Sequence, residues 1–317
     1  MSLKALALKL LGALLFLTAI AMWWSRAPDW PVEALVARWA PAPSQFIELD
    51  GQLVHLRDEG PRQDGVPLVL LHGTSSSLHT WEGWVKGLRA QHRVISIDLP
   101  GFGLTGPNST GDYRGDAYAR FVLTLMDRLG VQRFVLGGNS LGGEVAWRTA
   151  LLAPQRVAGL ILVDAGGQDV APSSIPIGFI AARVPVLNRV FDWVLPRSLV
   201  VASLRNVYGD PTKVDEALVD RHYQLTLREG NRRALVQRFQ QSARGEDAGR
   251  IQELRAPTLI LWGGRDQLIP PAAAALFKAN IAGSELVIFD KLGHVPHEED
   301  AVRTLAVVQG FLQRRVR

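Results

Sequence analysis

An α/β fold is predicted for this chain, with a mostly parallel central sheet flanked by helices, a helical insertion and a separate apolar helix at its amino terminus. Three observations predict it. Short, continuously apolar runs recur and end in glycine or polar residues: LVLLHG, RVISIDLPG, FVLGGNS, LILVDAGG, TLILWGGRD and ELVIFDKLGH. Runs of that kind suit strands buried on both faces. Helical stretches such as Asp116 to Leu129 and Leu141 to Leu152 lie between several of them, which gives β-α-β units and a parallel sheet covered by helices. Residues 168–250 then break the alternation, with IGFIAARVPVLNRVFDWVLP followed by a polar helical segment from Asp215 to Arg244. This stretch reads as a helical cap.

The bounds of size and composition agree. A chain of 317 residues with 47% hydrophobic content buries one sizeable core. A charged fraction of 21% and 30 glycines describe a folded chain rather than a disordered one. The net charge is +5, but the arginines are scattered and form no dense basic run, so the charge reads as a solvated surface and nucleic acid is not an expected partner. The chain has no cysteine, which excludes disulfides, thiolate nucleophiles and cysteine metal sites.

Element by element, the chain begins with an apolar run. From Leu10 to Trp24 no residue is charged, Lys4 and Lys9 precede the run, and Trp23 and Trp24 close it. Snorkelling lysines extend such a helix backwards, and the tryptophans suit a membrane interface. Residues 1–25 are therefore expected to be a transmembrane signal anchor with the globular domain on the extracytoplasmic, periplasmic side. The alternative is secretion after signal cleavage, for which Ala19 and Ala21 supply an A-x-A pattern. Residues 26–44 hold Pro28, Pro31, Pro41 and Pro43 around a short helical stretch from Val32 to Trp39 and read as a linker. The globular domain then runs through 45–167, the cap through 168–250, and the second part of the domain through 251–317. It opens on QFIELDGQLVHLRDEG, which alternates about Asp50-Gly51, a dipeptide that closes a hairpin.

Function is expected at the carboxyl ends of the buried strands. Gly138-Asn139-Ser140-Leu141-Gly142 follows one strand and opens a helix, the context in which G-x-S-x-G forms a nucleophile elbow. A serine hydroxyl needs a base within hydrogen-bond reach and an acid that orients the base. Of the seven histidines, His294 is the candidate base, on a loop after a strand and beside Gly293; His297 is its close rival. His55 and His92 lie within or beside early strands and His222 on a cap helix, positions that suit packing or surface roles. Asp266 ends TLILWGGRD and precedes His294, giving the order serine, acid, histidine. Asp164 is a rival acid at a neighbouring strand end, and Asp98 suits a turn-shaping role. Two backbone amides should bind the oxyanion: that of Leu141, which begins the helix, and that of Thr74 after His72-Gly73, with Ser75 as its alternative. This chemistry requires no metal and no organic cofactor.

The chain after Gln45 resembles the α/β-hydrolase superfamily through His72-Gly73, Asp98-Leu99-Pro100-Gly101-Phe102-Gly103, Gly138-Asn139-Ser140-Leu141-Gly142-Gly143, Gly263-Gly264-Arg265-Asp266 and Gly293-His294. The resemblance implies Ser140, Asp266 and His294 as a triad and a cap over the active site. Haloalkane dehalogenases and epoxide hydrolases of that superfamily carry aspartate where this chain has Ser140. Asn139 resembles the hydrolases that cleave carbon–carbon bonds of aromatic ring-fission products, although Gly73-Thr74-Ser75-Ser76-Ser77 is less glycine-rich than their oxyanion loop. The expected activity is hydrolysis of a small, hydrophobic carboxylic ester through an acyl-enzyme. Carbon–carbon hydrolysis is the alternative, and a non-catalytic, membrane-tethered binding module is the alternative of another class.

Overall fold

The computed structural model describes residues 2–316. Eight strands form one sheet: β1 (Ser44–Leu49), β2 (Gln52–Glu59), β3 (Leu68–Leu71), β4 (Val94–Ile97), β5 (Phe134–Asn139), β6 (Val157–Val163), β7 (Thr258–Gly263) and β8 (Glu285–Phe289). Their order across the sheet is β1-β2-β4-β3-β5-β6-β7-β8. β2 runs antiparallel to β1 and to β4, and the remaining pairs are parallel. The Asp50-Gly51 turn of the first hairpin has positive φ at both residues, 52° and 80°, as such a turn demands.

The continuous apolar runs are explained by the sheet's two faces. Val69, Leu71, Leu136, Leu160, Leu162, Ile260 and Trp262 join one core cluster, while Leu68, Leu70, Val135, Ile161, Val163, Leu259 and Leu261 join the other. Successive residues point to opposite faces of a strand, so a strand covered on both sides has to be apolar at every position. One cluster is completed by residues of the helices Gly115–Arg128, Leu141–Leu152 and Ala272–Asn280. The other is completed by Trp84 and Val85 of helix Glu82–Leu88 and by Val308 and Phe311 of helix Ala301–Arg315.

Between β6 and β7 the chain leaves the sheet and folds into five helices, Ile177–Arg183, Leu187–Phe191, Arg197–Val207, Glu216–Thr226 and Asn231–Gln240. They stand over the carboxyl ends of the central strands.

Helix Leu3–Trp24 has 22 residues, a mean hydropathy of 2.2 over its most apolar window, and none of that window buried. At 1.5 Å per residue it is roughly 33 Å long, enough to cross a hydrocarbon layer of about 30 Å. The stretch after it, read from its prolines as a linker, is packed onto the cap. Ala27 N–H donates to Trp193 O at 2.9 Å, Leu195 N–H to Ser25 O at 3.1 Å, and Trp30 N–H to Leu227 O at 2.7 Å. The buried Arg232 guanidinium pairs with Asp29 and donates to Ala27 O. Leu35 is buried against Leu104 and Leu225. The prolines here shape a fixed path, held by the short helix Glu33–Trp39 and by backbone hydrogen bonds to the cap.

Candidate active site

Ser140 occupies the turn between β5 and helix Leu141–Leu152, with φ 55° and ψ −116°. This is a conformation that a non-glycine residue holds only when its surroundings impose it. Ser140 N–H donates to Val163 O at 3.0 Å, and Ser140 O accepts from Glu144 N–H at 3.0 Å and Gly166 N–H at 2.9 Å. Both flanking glycines are required by close approach: a Cβ on Gly138 would overlap Gly142 O, and one on Gly142 would overlap Leu71 O.

Asp266 and His294 come from the loops after β7 and β8. The Asp266 Oδ1 accepts from the backbone N–H groups of Leu268 and Ile269 at 2.8 and 2.9 Å. Its Oδ2 accepts from His294 Nδ1–H at 2.6 Å. That bond fixes the tautomer, with Nδ1 protonated and Nε2 left as a base. His294 is held in turn by its own N–H to Val207 O at 2.8 Å and by Asn139 Nδ2, which donates to His294 O at 2.9 Å. Asp266 is 4% exposed, His294 4% and Ser140 8%, and Ser140 and His294 open onto the same cavity.

Thr74 and Ser75 also line that cavity. Among the described residues, the Thr74 amide donates to no backbone or side-chain acceptor, and the Leu141 amide is the first of its helix, where no intrahelical partner exists.

The rival residues, Asp164 apart, fall elsewhere. His297 is fully buried, its ring 4.1 Å from that of Trp81, with Nε2–H donating to Thr80 Oγ1 at 2.9 Å. Burial, chiefly, pushes its pKa down to about 3. Asp98 accepts from Leu78 N–H at 2.7 Å, Leu104 N–H at 2.8 Å and His55 Nδ1–H at 2.7 Å, so it organises the loops at the end of β4. Burial alone would raise its pKa, but His55, then His72 and His79, hold it far below the usual carboxylate range. His72 is a strut, accepting from Leu99 N–H at Nε2, 3.0 Å, and donating to Gly73 O from Nδ1, 2.7 Å. His92 lies 3.6 Å from Asp64 at the far end of β4. Asp164 lies next to Asp266, fully buried.

Three residues take places at the site that the sequence did not indicate. Glu299 accepts from Gly293 N–H at 2.9 Å, Gly209 N–H at 3.0 Å and Asp210 N–H at 2.9 Å, tying the histidine loop to the cap. Glu298 lines the cavity, pairs with Arg221 and accepts from Thr80 Oγ1 at 2.6 Å. Burial would raise its pKa, but Arg221 first, then His222 and Thr80, lower it to about 2. His222, assigned from its cap helix to packing or surface, lines the cavity as well and donates from Nδ1 to Ser75 O at 3.1 Å. The Glu-Glu pair beside a histidine was the available signal, but nothing in it distinguishes buried carboxylates from a solvated helix start.

The cavity and the open solvent at its mouth together span about 870 Å³. Its walls are mainly apolar, including Phe179, Leu199, Leu204 and Leu235 from three cap helices and Leu268 from the loop after β7.

An open α/β sheet with serine, acid and histidine at its carboxyl edge under a helical insertion defines the α/β hydrolases as a class. The chain belongs to the α/β-hydrolase fold family, which it matches over residues 66–301, and it is an enzyme of hydrolytic type. It is 30% identical over 291 residues to the 2-hydroxy-6-oxononadienedioate/2-hydroxy-6-oxononatrienedioate hydrolase of Klebsiella pneumoniae, covering 86% of this chain and 96% of that one. Over 282 residues it is 31% identical to the dihydrolipoyllysine-residue acetyltransferase component of the acetoin cleaving system of Pseudomonas putida, covering 86% and 70%. Among solved structures, a membrane phospholipase A described as a bacterial virulence factor matches with TM-score 0.72 at 24% identity, covering 98% of this chain and 96% of that one. That likeness is one of fold.

Proposed function

We propose that the chain is a serine hydrolase of carboxylic esters with an apolar acyl group. Ser140 is the nucleophile, His294 the general base and acid, Asp266 the carboxylate that orients it, and the Thr74 and Leu141 amides the oxyanion donors. The observation that carries this reading is the Asp266–His294 hydrogen bond of 2.6 Å, with His294 and the positive-φ Ser140 opening on one apolar cavity. The steps follow. His294 Nε2 takes the Ser140 hydroxyl proton as Oγ attacks the ester carbonyl, the two amides hold the developing oxyanion, and the imidazolium returns the proton to the leaving alcohol. Water, deprotonated by the same nitrogen, then releases the acid.

Charge favours a neutral acyl chain. Among the described residues lining this cavity none is arginine or lysine, and Glu298 adds a carboxylate, so an anionic group placed in it would be desolvated without a partner; the arginines near Ser140, Arg183, Arg238 and Arg244, line a separate opening. A second reading keeps the nucleophile and changes the bond, to carbon–carbon cleavage of a ring-fission product; the 30% identity to the Klebsiella hydrolase favours it. The apolar helix Leu3–Trp24 serves as a membrane anchor in this proposal, with the catalytic domain on the extracytoplasmic side; secretion after cleavage near Ala21 is the alternative.

The test is turnover of esters of increasing acyl length by native chain and Ser140→Ala, with a coloured dienoate assayed in parallel. Ester turnover lost by about 10⁴-fold or more in the variant supports the proposal. Bleaching of the dienoate alone moves the assignment to carbon–carbon cleavage, and failure of both with no fluorophosphonate labelling of Ser140 leaves the binding module.

A further inference from the structure

Asp164 directly follows β6, beside the end of β7 and the loop that carries Asp266. A carboxylate oxygen of Asp164, a carboxylate oxygen of Asp266 and a ring nitrogen of His294 all lie within 4.8 Å of one another. The two acids are not equivalent. Asp266 accepts three hydrogen bonds, from Leu268 N–H, Ile269 N–H and His294 Nδ1–H. Asp164 accepts one, from Gly263 N–H at 2.9 Å on Oδ1, and among the described residues its buried Oδ2 has no donor. Two carboxylates in so small a buried space cannot both be ionised, and the one with more donors keeps the charge.

We propose that Asp164 is a neutral carboxylic acid whose Oδ2–H donates to Asp266, and that it is a positioning residue acting through Asp266 on His294. It rests on the hydrolase reading above for its kinetic consequence but not for the location of the proton. Three titratable groups face it: Asp266, His294 and Glu299. Burial first, then the charge of Asp266, and more weakly that of Glu299, raise the Asp164 pKa well above the ordinary carboxylate value. The proton completes the hydrogen-bond inventory, giving Asp266 a fourth donor and Asp164 Oδ2 a partner. Its φ of 44° is one that aspartate and asparagine tolerate better than other side chains.

The test uses the full chain and two variants. Asparagine carries the same oxygen for Gly263 N–H and an N–H₂ in place of the acid O–H, whereas glycine accepts the same φ and offers no donor. Infrared difference spectra at neutral pH should contain one protonated-carboxyl C=O stretch, absent from Asp164→Asn. Ester kcat/KM should fall about 10- to 100-fold in Asp164→Gly and recover to within about threefold of native in Asp164→Asn. Should the native chain lack the band at neutral pH, or Asp164→Asn retain it, Asp164 is not the proton's site. A band that behaves as expected while Asp164→Asn is as slow as Asp164→Gly would leave the proton in place and remove the positioning role. The band is read without turnover, so absence of ester hydrolysis would count against the proposed function alone.

Discussion

Gly209, two residues past cap helix Arg197–Val207, and Gly293, beside His294, approach so closely that a Cβ on Gly209 would lie 2.6 Å from Gly293 N. A Cβ on Gly293 would overlap Gly209 N and Val207 O, and the Glu299 carboxylate accepts from both glycine amides. The cap and the histidine loop are one mechanical unit. Gly293→Ala should therefore displace His294 and lower kcat/KM by about 10²-fold, the scale that a misplacement of about 1 Å produces. Gly249→Ala, where a Cβ meets nothing within 4 Å, should be neutral. Steady-state kinetics on both variants, with thermal midpoints alongside, check the coupling.

Acid should destabilise the protein from the histidines downward. The pKa of His297 is held at about 3 and that of His222 at about 4, in both cases chiefly by burial. A histidine with a depressed folded pKa binds fewer protons folded than unfolded, so its contribution is whole above the unfolded pKa of about 6.5 and is lost as pH falls toward the folded value. Each contributes a slope of up to about 1.4 kcal/mol per pH unit across that window. Glu298 adds a further loss between its ordinary pKa and about 2. Urea unfolding from pH 7 to pH 4 should give a falling midpoint, and His297→Phe should reduce the slope by about one proton.

Two truncations separate the proposed anchor from the strap behind it. Deleting residues 2–24 removes a helix with no buried residue and should release a folded, soluble chain that keeps its turnover of soluble esters. Extending the deletion through Pro43 strips Leu35 from Leu104 and Leu225 and leaves the Arg232 guanidinium, 1% exposed, without Asp29 and Ala27 O. Stranding a buried cation alone costs about 3–5 kcal/mol, so the longer deletion should unfold at a markedly lower temperature. Carbonate extraction and scanning calorimetry distinguish the two.

Acyl-chain preference should be set by the cap. Leu199 lines the cavity from helix Arg197–Val207, and Leu199→Trp should fill part of it. The expected outcome is a loss of about 10- to 100-fold in kcat/KM for long-chain esters, with short-chain esters changed by only a few-fold, since each excluded methylene is worth about 1–3 kcal/mol. A uniform loss at every chain length would place Leu199 outside the acyl path.

The strands and the glycine spacing of the elbow were legible in the sequence because their causes are local. A strand covered on both faces has to be apolar throughout, as Leu68–Leu71 is, and the Ser140 turn needs glycines two residues away on either side because the chain passes itself there. Distances along the chain carried no such information about the rest. The proline-rich residues 26–44 look flexible until Trp193, Leu227 and Glu229 are seen to pair with the backbone of Ala27 and Trp30. Glu299 looks like a solvated helix residue until Gly209 and Gly293 meet at its carboxylate. Asp164 and Asp266 lie a hundred residues apart across the cap, and only the pairing of β6 with β7 brings their carboxyls together. Periodicity and steric necessity act between near neighbours, and so the fold and the chemical types at the strand ends can be read along the chain. Which acid faces the histidine and what holds the cap over it depend on burial and on contacts between distant segments, which exist only once the chain has folded.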